Sequence, residues 1–462
     1  MHSQATRFQR FMAEAKELMI LAAPIIVSQL SMSGMGFIDT SMAGQASARD
    51  LAAIAIGGSL WMPFYLLVRG TLMATTPTVA HLFGAGKTDD IACEVRQGLW
   101  IALIAGLVAM IYLHSTEPLL RLMKVSPDLI VITDEYLKAL AYGAPAIAIY
   151  QTLNAYCEGT SDTRPAMVFS VIALLLNIPA NYILIYGKFG FPAMGGVGCG
   201  WATALAFWSM AIMMMIYTAF GRKHKPRGIF AAIDRPVGSR IVEHLKLGFP
   251  IGMTMFIEGS IFAIIALLIG RLGASTVASH QVALNFSSLT FMLPLSISFA
   301  ITIRVGQSLG ANNPEKARFA AYVGHAVSLF CACLSAGLML VAPEMIAGIY
   351  SSNPEVIQAA SALLFYAAIF QFSDAMQAAA VGSLRGYKDT RTPMFLVVMA
   401  YWAVGLPMGY ILGMTEIAGS PMGPRGFWIG LVAGLTIAAL LLGLRLYTTS
   451  LNRCRMITPQ TA

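Results

Sequence analysis

Long runs of apolar residues, separated by short polar connections, recur along the whole chain. About 20 apolar residues cross the hydrocarbon core of a bilayer as one helix, and twelve runs reach that length. They cover residues 17–42, 51–76, 97–116, 135–157, 166–187, 197–220, 244–270, 279–303, 318–342, 358–383, 394–414 and 426–448. A helix pairs its own backbone groups, and the alternating strands of about ten residues that build membrane barrels are missing from the pattern, so we expect twelve transmembrane helices.

Composition supports the same fold class, an all-α integral membrane protein. Hydrophobic side chains make up 57% of the 462 residues and charged side chains only 11%, whereas soluble domains carry about a quarter charged residues. The net charge of +8 could suggest nucleic acid in a soluble protein. The distribution of the positive residues along the chain indicates membrane topology instead, and we expect no nucleic-acid partner.

Most of the 30 Lys and Arg residues lie in the two terminal segments and in every second connection between spans. The other connections hold Arg49, Arg121, Lys124, Lys138, Lys188, Arg271 and Arg425. Because positive residues concentrate on the cytoplasmic side of membrane proteins, we expect both termini to be cytoplasmic.

The sequence contains an internal repeat. "LAAP" at 21–24 corresponds to "LGFP" at 247–250, and "EGTSDTRPAM" at 158–167 corresponds to "RGYKDTRTPM" at 385–394. Six spans precede and six follow the basic connection "GRKHKPRGIFAAIDRPVGSR". We therefore predict two pseudo-symmetric six-helix bundles: an N-terminal lobe (1–220), a cytoplasmic basic linker (221–243) and a C-terminal lobe (244–462). An even number of spans gives both lobes the same orientation, so an axis along the membrane normal should relate them.

Two carboxylates of the second half fall at one depth of the membrane. Helical rise places Glu258 roughly 16 Å and Asp374 roughly 14 Å from the inner ends of their spans. Their repeat counterparts, Met32 and Ile147, are apolar, so the fold itself does not require the acids. A charge there costs about 3 kcal/mol or more, and we expect the pair to hold a proton or a monovalent cation such as Na⁺, with Gln281 supplying a carbonyl oxygen. The alternative is a hydrogen-bonded pair that only joins two helices.

Other polar residues lie inside the first half. Asp39 falls in the outer half of the first span, and Asn177 and Asn181 share one face of the fifth span at i, i+4 spacing. They are candidates for a separate polar site, or for plain interhelical hydrogen bonding. Arg69, the one base within a span, is expected to extend its head to the inner membrane surface.

Several motifs together resemble a known family. "FIDTSMAG" in the first span, "GMTMFIEGS" in the seventh, "FQFSDAMQ" in the tenth and the two repeated segments ending in "DTRPAM" and "DTRTPM" are similar to those of the multidrug and toxic compound extrusion (MATE) transporters, and most similar to the bacterial NorM branch. The resemblance extends over nearly the whole chain, including its twelve spans and its basic central connection.

The resemblance implies an inner-membrane antiporter, with no resident cofactor, that exports cationic lipophilic drugs and dyes in exchange for Na⁺ or H⁺. Glu258 and Asp374 would then be the cation-binding carboxylates, with Gln281 nearby. Asp39, Asn177 and Asn181 would form the polar site of the N-terminal lobe. Membrane lipid is the expected surrounding and a monomer the expected state. One position departs from the family: Phe370 stands where a tyrosine is expected.

Other functions remain as alternatives. A flippase for lipid-linked precursors, on a related architecture, would need a strongly cationic central cavity able to hold pyrophosphate. A membrane-embedded enzyme is disfavoured because the chain has no HExxH motif, no P-loop motif and no large soluble loop. A channel is disfavoured by the two-lobed repeat.

Overall fold

The computed structural model describes residues 7–232, 234–417 and 419–457. Its α-helices are α1 (Arg7–Ala46), α2 (Ala48–Leu72), α3 (Thr75–Gly84), α4 (Thr88–His114), α5 (Glu117–Leu122), α6 (Pro127–Ala141), α7 (Ala144–Gly159), α8 (Arg164–Tyr186), α9 (Gly196–Phe220), α10 (Gly238–Ile269), α11 (Ala274–Gly310), α12 (Pro314–Val341), α13 (Pro343–Tyr350), α14 (Pro354–Gly386), α15 (Arg391–Val398), α16 (Leu406–Met414) and α17 (Pro424–Ile457). Two 3₁₀ turns (Lys225–Arg227 and Gly270–Leu272) and a π-helical segment (Met399–Gly405) complete the regular structure, and the described residues contain no strand.

Eleven continuous helical stretches in the described residues are long and apolar enough to cross a membrane. The predicted fourth span (135–157) is not one helix: α6 ends at Ala141 and α7 begins at Ala144. Pro145 explains the break, because it has no N–H to donate to the preceding turn. With α6 and α7 counted as one crossing, the fold has the predicted twelve.

The predicted eleventh span contains the π-helical segment Met399–Gly405 between α15 and α16. Such segments are rare and often occur at functional sites. The extra residue per turn changes which side chains face inward, and Tyr401 and Gly405 of this segment are buried.

Backbone geometry confirms the internal repeat. A Cβ atom on Gly159 would lie 2.8 Å from the Cβ of Val79, and one on Gly386, the corresponding glycine, would lie 2.8 Å from the Cβ of Val305. Ser161 and Lys388, also at corresponding positions, both take the left-handed conformation with φ of 63° and 61°. The two halves therefore share local packing as well as helix order.

The chain forms two compact units: Ala23–Gly252, here called the N-terminal unit, and Met253–Ala462 with Met1–Ala22, here called the C-terminal unit. The boundaries lie beside Pro24 and Pro250 within α1 and α10. These units differ from the predicted lobes because the first part of each of these two helices belongs to the other half's unit.

Specific contacts hold these two helix starts in place. Within the C-terminal unit, Arg304 of α11 donates two hydrogen bonds, of 2.8 and 2.7 Å, to the buried carboxylate of Glu14 on α1. Within the N-terminal unit, Gly252 of α10 packs so closely on α2 that a Cβ would overlap the carbonyl oxygen of Leu67. The ion pair of Glu14 thus holds the start of α1 in the C-terminal unit, and the glycine contact holds the start of α10 in the N-terminal unit.

Glycines also bring α16 and α17 of the C-terminal unit into backbone contact. A Cβ on Gly430 would lie 2.5 Å from the carbonyl oxygen of Gly405 and 2.5 Å from the nitrogen of Gly409, and one on Gly426 would lie 2.5 Å from the nitrogen of Gly413. Small residues at four-residue spacing allow membrane helices to approach in this way. The contact fixes the π-helical segment against α17.

The predicted basic linker packs on the N-terminal unit. The carboxylate of Asp162 accepts hydrogen bonds from Tyr217 (2.8 Å) and binds His224 Nε2 at 2.9 Å and Lys223 Nζ at 3.3 Å. Burial alone would raise the pKa of Asp162, but these hydrogen bonds and the lysine charge outweigh it and lower the pKa to about 2. The carboxylate is therefore an ionised anchor for this segment at neutral pH.

Candidate functional site

A cavity of about 120 Å³ lies within the C-terminal unit, between α10, α11, α14 and the π-helical segment. Glu258 and Asp374 both line it. The structure therefore brings together the two acids that helical rise placed at the same depth. Arg385 is the third and last charged side chain in its lining, so the cavity carries one net negative charge when all three groups are ionised.

A chain of hydrogen bonds orients Glu258. Gln377 Nε2 donates to Glu258 Oε1 at 2.7 Å, and Tyr401 Oη donates to Gln377 Oε1 at 2.9 Å. Because the amide oxygen is occupied by the tyrosine, the amide nitrogen is left to face the carboxylate. Arg385 acts on Glu258 through its positive charge as well. Glu258 is thus held by groups that favour its ionised form.

Asp374 lies in the same cavity without such support. Its side chain makes no hydrogen bond or ion pair with any described residue, although it is only 8% exposed. A buried carboxylate without donors is costly as an anion. Of the two acids, Asp374 has the greater need for a proton or a cation from outside.

Aromatic rings form one wall of this cavity. Phe370, the residue that departs from the family pattern, packs edge-on against Phe262, with ring centroids 6.3 Å apart, and against Trp428 at 5.7 Å. It supplies an apolar surface here and no hydroxyl ligand.

Gln281 is not among the residues that line the cavity. It lies one turn before the lining residue Leu284 on the same face of α11, its side chain is exposed, and its amide nitrogen is 3.4 Å from Asn285 Oδ1. The structure therefore does not place Gln281 with the two acids, and its role in cation binding stays a prediction.

The predicted residues of the N-terminal site do come together. The carboxylate of Asp39 accepts hydrogen bonds from Asn181 Nδ2 (2.6 Å) and Thr203 Oγ1 (2.7 Å), and Asn181 also donates to Asn177 Oδ1 at 3.0 Å. Asn177 and Asn181 are fully buried and Asp39 is 7% exposed. Unlike Asp374, Asp39 accepts hydrogen bonds from neutral donors on α8 and α9.

Arg69, the base within the second span, has a hydrogen-bond partner on the first helix. Its guanidinium donates to Gln29 Oε1 at 2.8 Å, and the side chain is half-buried beside Tyr65 and Gln151. A partner on α1 thus holds the guanidinium within the N-terminal unit, and its extension to the inner membrane surface stays a prediction.

Sequence reasoning missed four residues of these sites: Gln377, Arg385, Tyr401 and Thr203. Gln377 lies three residues after Asp374 and so shares its helix face, a signal present in the sequence. Arg385 stands at the end of α14 and looked like a loop residue. Tyr401 reaches Gln377 from the π-helical segment, and Thr203 is a lone hydroxyl without a local pattern.

The size and chemistry of the cavity in the C-terminal unit suit a small cation. Its volume of about 120 Å³ has room for several water molecules, whereas sites for drug-sized molecules measure about 300–1,000 Å³. Hard cations bind carboxylate, carbonyl and hydroxyl oxygens. No group of three or more His, Cys, Asp and Glu residues in the described chain could hold a metal ion, so an ion here would use the two carboxylates with hydroxyls or water.

Comparison with known proteins identifies the family. The MatE family model matches residues 24–183 and again residues 250–411, in agreement with the internal repeat. The chain is 50% identical over 442 residues to the multidrug resistance protein PmpM of Pseudomonas aeruginosa, which covers 96% of this chain and 93% of the relative. It is 47% identical to the multidrug resistance protein MdtK of Yersinia enterocolitica, over 95% of this chain and 96% of the relative.

Solved structures share the fold at lower identity. The eukaryotic MATE transporter AtDTX14 superposes with a TM-score of 0.86 at 22% identity, over 97% of this chain and 100% of the other. A transporter of the MOP superfamily from Pyrococcus furiosus superposes with a TM-score of 0.84 at 20% identity, over 96% and 97%. The twelve-span repeat, the paired family match and the full-length relatives lead to one conclusion: the chain belongs to the MATE family and is a membrane transporter for multidrug efflux, not an enzyme.

Proposed function

We propose that this transporter exports cationic lipophilic drugs and dyes in exchange for Na⁺ or H⁺ by alternating access, as a monomer in a bacterial inner membrane with both termini in the cytoplasm. Glu258 and Asp374 are the coupling acids. The single observation that carries this proposal is that both acids line one cavity and that, among the described residues, a donor is found for Glu258 but none for Asp374.

The asymmetry between the acids gives them different roles. Glu258 is held in place by Gln377 and lies near Arg385, so the protein itself orients this acid. Asp374 has no donor among the described residues, so it binds and releases the coupling proton or cation. A coupling ion or proton on Asp374 neutralises the cavity, and its departure restores a negative charge that attracts a cationic drug.

The cavity is large enough for the coupling ion in this conformation but not for the drug. At about 120 Å³, the cavity holds an ion with a few waters but no dye. The drug must therefore enter in another conformation, which is what alternating access provides. A solved relative of the same fold has been described in an outward-facing conformation.

Charge exchange also sets the driving force. One charge crossing a potential of 100 mV changes the free energy by about 2.3 kcal/mol. An exchange of one monovalent cation for one monovalent drug moves no net charge and draws only on concentration gradients. One net negative charge in the cavity favours this one-for-one exchange.

The site of the N-terminal unit is proposed to act separately. Asp39 already accepts hydrogen bonds from Asn181 and Thr203, so it has less need of an external proton or cation than Asp374. The proposal assigns Asp39, Asn177 and Asn181 to a second polar site that supports transport.

A lipid-linked precursor flippase fits the site less well. Its pyrophosphate would need several bases in the cavity, but the cavity of the C-terminal unit contains two acids and Arg385. No observation in the described residues favours this alternative over cation exchange.

The test is efflux of ethidium from energised cells that produce equal amounts of each variant. We expect Glu258→Gln and Asp374→Asn to lose efflux, and Glu344→Gln, an exposed acid at the start of α13, to retain it. Wild-type efflux by both cavity variants would show that the proposed coupling is wrong.

A further inference from the structure

An apolar groove of about 380 Å³ lies where the basic connection meets α4 in the N-terminal unit. Its apolar lining includes Leu99, Trp100 and Leu103 of α4, Ile149 of α7, Met215 of α9 and Phe230 of the connection. The transport proposal uses none of these residues. Their chemistry suits a hydrocarbon chain and not an ion.

Hydrogen bonds build this groove independently of any guest. Trp100 Nε1 donates to the carbonyl oxygen of Asp234 at 2.9 Å, and the amide of Gln97 both donates to the carbonyl of Arg235 (3.1 Å) and accepts from the Val237 nitrogen (2.8 Å). The two charged side chains in its lining, Arg96 and Asp234, pair at 2.7 Å. The connection is therefore a fixed wall, and the interior offers no uncompensated charge.

The groove continues an apolar strip on the outside of the N-terminal unit. On α4, Leu103 is followed at four-residue intervals by Leu107 and Ile111, which are 44% and 65% exposed. On α9, Ile212 and Ile216 are also exposed. An exposed apolar strip on a membrane-spanning helix suits contact with the hydrocarbon chains of the bilayer, and this strip leads from the bilayer region into the groove.

A basic side chain lies beside the groove. Arg235 follows the lining residue Asp234 directly and its side chain is exposed, whereas Lys223 and Arg240 of the connection are paired with Asp162 and Glu94. Each basic side chain near a membrane surface strengthens binding of anionic lipid by about fivefold.

We propose that this groove is a binding site for one anionic glycerophospholipid of the leaflet that the connection faces, which is the cytoplasmic leaflet in the proposed topology. One acyl chain lies between α4 and α9, beginning beside Trp100 and Phe230 and running toward Leu107, and the phosphate lies over Arg235. The bound lipid holds the connection to the membrane-spanning part of the unit. This site is independent of the coupling ion and of Glu258 and Asp374.

Native mass spectrometry of the full-length protein in detergent, titrated with phosphatidylglycerol or phosphatidylcholine, tests the chain site. We expect one phosphatidylglycerol to bind more tightly than the others. Leu103→Trp fills the groove and should weaken that binding about tenfold or more, because each buried methylene contributes about fourfold to affinity. Ile111→Trp, two turns along the same exposed face, should leave it unchanged. Equal binding by Leu103→Trp and wild type would overturn the proposal.

A second variant tests the headgroup and does not depend on tolerance of a large side chain. Arg235→Gln should lower the affinity for phosphatidylglycerol about fivefold and leave that for phosphatidylcholine unchanged, whereas Arg235→Lys should retain the preference. Equal affinity of the wild type for the two lipids would overturn the assignment to an anionic lipid.

Discussion

Gln377 on α14 donates a 2.7 Å hydrogen bond to Glu258 on α10. This contact joins two helices and also orients a carboxylate in a cavity that contains a second, unsupported acid. The same amide is fixed in turn by Tyr401 from the π-helical segment. The glutamine thus decides which of the two acids is already satisfied by the protein.

Replacing Gln377 with Leu should strengthen coupling-ion binding, because the Glu258 carboxylate loses its donor and must take a proton or cation instead. A hydrogen bond to a charged group contributes about 1.5–3 kcal/mol, so the concentration of Na⁺ or H⁺ that half-saturates transport should fall about tenfold or more. Gln371→Leu is the matched control, since Gln371 is equally buried on α14 but does not line the cavity. Equal ion dependence of Gln377→Leu and wild type would contradict the role given to this contact.

Loss of a hydrogen-bond donor to the buried carboxylate of Asp39 should destabilise the folded protein. Thr203→Val removes one of the two donors to this buried carboxylate and should lower the free energy of unfolding by about 1–3 kcal/mol. Thr448→Val removes an exposed hydroxyl that bonds only to its own helix and should have little effect. Thermal unfolding of the two purified variants in the same detergent provides the comparison, and equal melting temperatures would argue against a buried ionised Asp39.

Backbone contact between α16 and α17 should make Gly430 intolerant of any side chain. Gly430→Ala places a methyl group 2.5 Å from the backbone of α16 and should destabilise the protein by about 1–3 kcal/mol or prevent folding. Gly443→Ala lies on the same helix with nothing within 4 Å and should stabilise it by up to about 1 kcal/mol. Size-exclusion profiles after heating distinguish the two, and equal tolerance would refute the contact.

The anchor at Asp162 predicts a pH dependence. Its folded pKa of about 2 lies below the usual value near 3.9, so the carboxylate stabilises the folded state above pH 4 and loses this contribution as the pH falls toward 2. Asp162→Asn should therefore be less stable than wild type at pH 7, by up to about 2 kcal/mol, and the gap should narrow below pH 4. Asp128→Asn, which breaks an exposed ion pair with Arg49, should cost less than 1 kcal/mol. A gap for Asp162→Asn that is the same at pH 7 and pH 3 would contradict the assignment.

Repetition made much of this fold readable from sequence. The offsets between the halves predicted equivalent turns, and Ser161 and Lys388 indeed share a left-handed backbone. Depth along a helix follows from rise per residue, which is why Glu258 and Asp374 were predicted to share a site. Rise alone did not separate Gln281 from the cavity, because Gln281 lies on the lining face but one turn beyond it.

Other features had no local signal. The pairing of Glu14 with Arg304 joins residues 290 positions apart. The local sequence around either residue gives no indication of this contact. The π-helical segment that carries Tyr401 depends on the glycine contact between α16 and α17, which only the folded C-terminal unit creates. Asn177 and Asn181 could be placed on one face from spacing, but their acceptor Asp39 and its second donor Thr203 come from other helices.

The central claim is that the acids of the C-terminal unit exchange a coupling cation for a cationic drug. Drug transport into proteoliposomes, driven by a Na⁺ gradient or a proton gradient imposed separately, tests it most directly. For at least one of the two gradients, we expect wild type and Glu344→Gln to transport and Asp374→Asn to match vesicles without protein. Gradient-driven transport by Asp374→Asn at the wild-type rate would contradict the account.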